Sequence, residues 1–443
     1  MRPLILLLVF LIASPLALAQ DGWKAGVAKI AITPKQPAWM AGFSSRTHKS
    51  EGVRHDLWAK ALAVRDAGGN TAVLVTLDLC DISRDMAAMV AKGVEQKYGL
   101  KRDQFALNVS HTHSGPIVTL DEISGWYDIP AADQKEIHAY TRAMLAQIVD
   151  VIGAALKDLQ PAALSFEQGV AGIATNRRRT RLRNLPGPVD QDAPVLAVRG
   201  QDGKLRAIVA GYACHATALS DYQINGDWPG FAQIAIEKAN PGAIAMFVQG
   251  AGADANALPR RSVEMAEEYG GVLAEAVAQV LKGEMKPVTG QLKTVYEEVM
   301  VPFHNVPDKP ELQARIAKGN AYQKKQYGRL LRILKEKGKL PVEYPYPVQI
   351  WRLGNTGKML ILGGEVVADY SLRLKQQHGW FDTWVVGYSN DVFAYIPSQR
   401  VLREGGYEGT EAMLGDGHPA PFGAAVEEII VEKVEDLLKK SGN

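Results

Sequence analysis

The chain has 443 residues, 47% of them apolar, and its 50 Lys and Arg nearly match its 48 Asp and Glu, leaving a formal net charge of +2. Such a composition can bury a large core and excludes a disordered chain, and the near-neutral balance argues against nucleic acid as the main partner. The length exceeds that of a typical domain, so one large catalytic domain or two lobes is expected.

At the N-terminus Arg2 precedes an apolar run over 4–12, and Ala17-Leu18-Ala19 stands before Gln20. These are the three regions of a secretory signal. Residues 1–19 are therefore expected to be cleaved and the mature chain, 20–443, to be exported to the periplasm or beyond, with an uncleaved anchor as the alternative. No later stretch reads as a bilayer span. Only Cys80 and Cys214 are present, which excludes a disulfide framework. Each follows an apolar strand-like run and reads as a core thiol, able to pair with the other if their strands adjoin. Without a Cys-x-x-Cys, any metal must be held by nitrogen and oxygen.

From 23 to 64 turn residues alternate with short apolar pieces. The pattern then predicts a strand over 71–79, a helix over 86–98, a strand over 105–109 and a helix over 131–159 ended by Pro161. Strands over 206–214 and 243–248 flank a helix over 231–238. The small-residue loop Gly250-Ala251-Gly252-Ala253-Asp254-Ala255-Asn256 follows, where backbone can approach a ligand closely. A helix over 264–282 precedes strands over 288–302. The Lys- and Arg-rich stretch 311–339 reads as one amphipathic helix, either a solvated surface face or a lid or contact for acidic lipid. Strands over 349–352, 358–363 and 383–387 and a helix over 424–440 complete an α/β class with a mixed β-sheet core and flanking helices.

The chemistry is expected at Ser110-His111-Thr112-His113-Ser114-Gly115-Pro116, just past the buried strand 105–109. Alternation along a strand would point His111 and His113 the same way. Two such imidazoles can share a metal, or one can bind metal while the other handles protons; a pair of hydrogen-bonded surface histidines is the bland alternative. His215 stands at the end of the strand 206–214, where open α/β sheets keep their sites. Glu365 after Gly363-Gly364, and Tyr395 in the run 389–397, are each unremarkable alone.

Taken in order, these motifs resemble the neutral/alkaline non-lysosomal ceramidase family along almost all of the mature chain. The matching pieces are Gly52-Val53-Arg54-His55-Asp56, Ala59-Lys60-Ala61, the His111–Pro116 signature, Asn176-Arg177-Arg178, Cys214-His215, Gly226-Asp227-Trp228-Pro229-Gly230, Gly364-Glu365, Ala394-Tyr395 and Tyr407-Glu408-Gly409. The resemblance implies a ceramidase-like zinc hydrolase domain with one zinc per chain on His111, His215, Glu365 and Tyr395. It implies an exported amidohydrolase that cleaves the N-acyl bond of ceramide, or of a related small-molecule or lipid N-acyl compound, by metal-activated water. His113 is then the candidate general base and proton donor, with Arg177 and Tyr407 orienting substrate or stabilising the oxyanion. Asn256 stands where the family carries a serine and can donate to the same oxyanion. The further β-sandwich domain of the ceramidases is expected to be missing, and the basic stretch 311–339 leaves room for peripheral membrane contact. A zinc hydrolase of an ester or phosphoester, or a non-catalytic zinc-binding relative, are the alternatives.

Overall fold

The computed structural model of the chain describes residues 22–121, 127, 129–179 and 187–442, so the signal-like stretch 1–19 lies outside the described residues. A nine-stranded mixed sheet runs, from one edge, through Ile244–Gln249, Leu205–Tyr212, Asp192–Gly200, Gln160–Val170, Lys24–Ala31, Trp58–Arg65, Thr71–Leu77 and Phe105–Val109, with Lys286–Pro287 beside Gln160–Val170. The outermost pair at each end is parallel and the inner pairs are antiparallel. A four-stranded sheet joins Leu292–Pro302, Glu343–Leu353, Gly357–Leu362 and Thr383–Val386.

Period-two alternation makes four layers of these elements. Val73, Val75 and Leu77 pack with Met86, Val90 and Val94 of the helix Arg84–Tyr98 and with Met144 and Ile148 of Ala131–Lys157. Their neighbours Ala72 and Leu74 face Trp351, Ile361 and Trp384 of the smaller sheet. In the other half, Ile208, Ala210 and Tyr212 meet Trp228 and Ala232 of Asp227–Ala239 and Leu273 and Val277 of Val263–Lys282. Ala207 and Val209 turn inward to the same sheet-on-sheet core. The outer face of the smaller sheet, Val348, Ile350, Leu360 and Leu362, is covered by Ile430, Val434 and Leu437 of the helix Val426–Lys440. A strand buried on both faces reads as a continuous apolar run, which is why these segments stand out in the sequence.

The mixed α/β class and its sheet core agree with the sequence reading, and three points of detail differ. The stretch 311–339 is two helices, Lys309–Lys318 and Ala321–Lys337, because Gly319 ends the first and Asn320 caps the second in a reciprocal capping box with Gln323. Helix Ala131–Lys157 stops before Pro161, which already lies in the strand Gln160–Val170. That helix is also long and apolar enough to cross a membrane, unlike the expectation for the later chain, but Met144, Leu145, Ile148 and Ile152 on one face pack into the domain core. Cys80 and Cys214 are buried free thiols, as the core reading has them.

The two edge strands of the larger sheet are joined through one side chain. Asn108, fully buried, donates to the Gln249 carbonyl (3.3 Å) and the Gly387 carbonyl (2.8 Å) and accepts from the Gln249 amide (2.8 Å). It thereby ties Phe105–Val109, Ile244–Gln249 and the end of Thr383–Val386 together. Asn108→Ala leaves two or three buried polar groups without partners and is expected to destabilise the chain by about 3 kcal/mol. Urea unfolding measures this, and a loss below about 1 kcal/mol would contradict the tying role.

Candidate metal centre

The chain ends each of several strands with a polar residue aimed at one point. His111 follows Phe105–Val109 and His215 follows Leu205–Tyr212; Glu365 follows Gly357–Leu362 across the turn at Gly363-Gly364. Glu365 then pairs in parallel register with Tyr395. The Nε2 atoms of His111 and His215 both lie 3.2 Å from Glu365 Oε2. The far nitrogen of each ring is taken by backbone: His111 Nδ1 donates to the Cys80 carbonyl at 2.7 Å and His215 Nδ1 to the Gly252 carbonyl at 3.0 Å. With Nδ1 protonated in both rings, two Nε2 lone pairs and a carboxylate converge, as a divalent ion requires.

The electrostatics carry the same signature. Burial alone would raise the Glu365 carboxyl, but the His111 and His215 rings facing it hold it well below the usual carboxylate range. Burial opposes charge on His111 too, yet the Glu365 carboxylate raises it well above 6.5, so a metal would bind at Nε2 by displacing a proton there. His215 is pushed down to about 4, by burial first and then by Arg177. These residues fit a metal: the donor set is nitrogen and oxygen, buried and oriented.

His113 stands against this cluster with its Nε2 3.0 Å from His111 Nε2. Burial, then repulsion from His111 and His215, lowers it well below 6.5, and among the described residues its buried Nδ1 has no hydrogen-bond partner. Its backbone carbonyl is held by Arg46 at 2.7 Å, and Gly42, at φ +89, packs so close that a Cβ there would sit 2.2 Å from the ring. The two histidines do converge, but strand alternation is not the cause. The strand ends at Val109 and His111 is in the left-handed region, at φ 58, which turns its ring toward His113.

Tyr395 places its hydroxyl 3.4 Å from His215 Nε2 and accepts from Arg177 at 3.2 Å. Burial, then the Glu365 carboxylate, pushes its phenol well above 10. Arg177 is held in turn by Glu408 at 2.7 Å and spans the Tyr395 and Tyr407 rings, which lie 5.3 Å apart. Tyr407 opens a π-helical turn, Tyr407–Glu411, and is 43% exposed, so it faces the approach to the cluster rather than its interior. Asn256 forms a parallel bridge with His215, and its Oδ1 accepts from Thr217, which leaves the Nδ2 end as donor. Among the described residues its side chain makes no hydrogen bond to His111, His215 or Glu365.

Sequence reasoning missed three parts of the centre. Tyr388, fully buried and left-handed at φ 47, donates to Glu365 Oε2 at 3.4 Å with its ring 4.6 Å from that of His111. Glu408 anchors Arg177 and Arg178. Asp254 accepts from the Ala368 amide and from Asn176 Nδ2, and its carbonyl takes the Arg177 amide, so the small-residue loop fixes the arginine segment. Glu408 lies in the Tyr407-Glu408-Gly409 match and Asp254 in the small-residue loop, but neither stands out there as part of a site, and nothing in the sequence points to Tyr388.

The model of the neutral/alkaline non-lysosomal ceramidase N-terminal region matches residues 23–297. Neutral ceramidases A and B of Dictyostelium discoideum are each 25% identical over 216 residues, 45% of this chain and 29% of the relative, so the match spans under a third of those proteins. The crystal structure of neutral ceramidase from Pseudomonas aeruginosa superposes with a TM-score of 0.73 at 20% identity, over 95% of this chain and 75% of that one. A ceramidase complexed with C2 gives 0.72 at 19% identity, over 95% and 76%. At these identities the superpositions speak for the fold.

His111 belongs to two groupings, one with His215 and Glu365 on its Nε2 side and one with Cys80 and His113. The hydrogen bond from Nδ1 to the Cys80 carbonyl selects the first, and burial raises the Cys80 thiol away from the thiolate a metal needs. His215→Ala and Glu365→Ala are expected to weaken divalent-metal binding by more than about tenfold, since even supporting groups of a ligand are worth that much. Cys80→Ala, which keeps the carbonyl, is expected to bind metal like the parent. Metal titration of the three variants decides it; loss in Cys80→Ala alone would move the site to the other grouping.

Proposed function

The chain belongs to the neutral/alkaline non-lysosomal ceramidase family, and from that premise we propose that it is an exported zinc-dependent amidohydrolase acting on ceramide or a related N-acyl compound. The observation that carries this reading is the pair of Nε2 atoms, each 3.2 Å from one Glu365 oxygen, beside an uncharged His113. A zinc ion held by His111, His215, Glu365 and Tyr395 supplies Lewis acidity and lowers the pKa of water toward about 7. The reaction adds water across the amide C–N bond and yields a carboxylic acid and an amine.

This chain's own residues then have distinct tasks. His113, neutral because it is buried among other imidazoles, takes the proton from the attacking water and returns it to the leaving nitrogen. Its unpartnered Nδ1 and the ring contact with Phe43 (centroids 5.0 Å apart) leave Nε2 as the working atom next to the cluster. Arg177, locked by Glu408, and the Tyr395 hydroxyl offer donors where negative charge grows on the carbonyl oxygen. Tyr407 and the donor end of Asn256 orient substrate at the margins. The stretch 1–19 makes export part of the same proposal.

Purified mature protein is expected to release fatty acid from a short-chain fluorescent ceramide, to lose that activity on chelation and to regain it with zinc, with His111→Ala inactive. Zinc binding without hydrolysis of ceramide would overturn the lipid-amide assignment. His113→Gln is expected to lower kcat by about a hundredfold or more with metal content retained. Gly42→Ala, which presses on the His113 ring, should lower kcat in the same direction. N-terminal sequencing of protein recovered outside the cytoplasm is expected to begin near Gln20.

A further inference from the structure

Most arginines around the metal centre are neutralised within the fold. Arg177 and Arg178 pair with Glu408, Arg178 and Arg179 with Glu404, and Arg46 is engaged by the carbonyls of Ala41, His113 and Asp221. Arg260 and Arg261 differ: among the described residues neither has a carboxylate at ion-pair distance, and neither guanidinium is held by backbone carbonyls as that of Arg46 is. Arg260 Nη1 donates to Thr217 Oγ1 at 3.2 Å, Thr217 donates to Asn256, and Asn256 bridges to His215. The Arg261 guanidinium lies 4.9 Å from the Phe43 ring, and that ring contacts His113. Arg260 is thus linked to the His215 side of the centre through Thr217 and Asn256, and the exposed Arg261 to the His113 side through Phe43.

Local stability does not account for them. Arg261 sits at φ 92, a region that costs a non-glycine residue about 1–3 kcal/mol. Arg261 immediately precedes, and Arg260 lies two residues before, Ser262, the N-cap of the helix Val263–Lys282, whose positive end disfavours cations. Arg260 is half-buried, and burial followed by repulsion from Arg261 and Arg177 lowers its pKa. Asp227 is the buried acid whose field reaches both, but its oxygens accept from the Ala218, Leu219 and Trp228 amides, so the two cations share one carboxylate without bonding it and are complementary to an anion brought by a ligand, which planar guanidinium groups grip by paired hydrogen bonds.

Resting on the amide-hydrolase reading above, we propose that Arg260 and Arg261 form a specificity site for an anionic group. The preferred substrate is then an N-acyl compound that carries a carboxylate or phosphate apart from its scissile amide. A neutral head group with hydroxyls alone leaves both guanidinium charges unmatched.

Three probes sharing one acyl amide test this: N-octanoylethanolamine, N-octanoylglycine and N-octanoylphosphoethanolamine. Dissociation constants are measured by calorimetry on the metal-loaded protein, its Arg260→Gln/Arg261→Gln variant and Arg260→Lys, with metal content as the check on folding and hydrolysis followed separately. An anionic probe is expected to bind about tenfold more tightly than the neutral one, as charge-assisted hydrogen bonds would give. That preference should collapse in the double variant and survive in part in Arg260→Lys. Which of the two anions gains decides between carboxylate and phosphate. Equal binding of all three, or a preference that persists in the double variant, overturns the proposal. Anion preference without cleavage of any probe would leave this site standing and remove the amidase reading; cleavage without anion preference would do the reverse.

Discussion

Everything at the centre depends on keeping one carboxylate and two imidazoles out of water and facing one another. Buried charge is costly unless it is paired and hydrogen-bonded, and Glu365 meets that condition by lying 3.2 Å from both Nε2 atoms. The arrangement works only because each imidazole is held at its back. The Cys80 and Gly252 carbonyls take the two Nδ1 protons, fix the tautomers and turn both lone pairs toward the same point. Neither carbonyl can be exchanged by altering a side chain, so the ligand geometry is a property of backbone paths.

Those paths come from different layers. His111 and His215 leave opposite ends of the larger sheet, whereas Glu365 and Tyr395 belong to the smaller one and its connections. The Asn108 bonds bring the two edges of the larger sheet together against the end of the strand Thr383–Val386. Where the chain must turn sharply into the site, it accepts left-handed backbone at His111, Asp227, Tyr388 and Asn390. Such residues persist when their surroundings over-determine them. Asn390 shows how: its Oδ1 accepts from the Leu107 amide and its Nδ2 donates to Gln349, so it is bonded to both sheets.

Around this core the charges are sorted by depth. The buried Glu408 fixes the arginines nearest the tyrosines, and Glu404 takes those further out. Once those pairs are made, the approach to the centre keeps a positive excess at Arg260 and Arg261.

By itself the sequence determined the layer class, because strands buried on both faces appear as largely apolar runs such as 71–77 and 105–109. It determined the metal-binding candidates as well, since His, Glu and Tyr at the ends of such runs are visible residue by residue, and the ordered motifs linked them across the chain. Only the tertiary structure decided how they meet. The left-handed turn at His111, the division of the basic stretch at Gly319-Asn320 and the free state of Cys80 and Cys214 depend on backbone geometry and on which strands adjoin. Tyr388, Glu408 and Asp254 were not legible as parts of the centre because an isolated Tyr, Glu or Asp has many ordinary structural uses. Their roles arise from partners 23, 231 and 114 residues away in the chain. Composition and local pattern carry information over a few residues, whereas hydrogen bonds that close a site across two sheets exist only after the layers have packed.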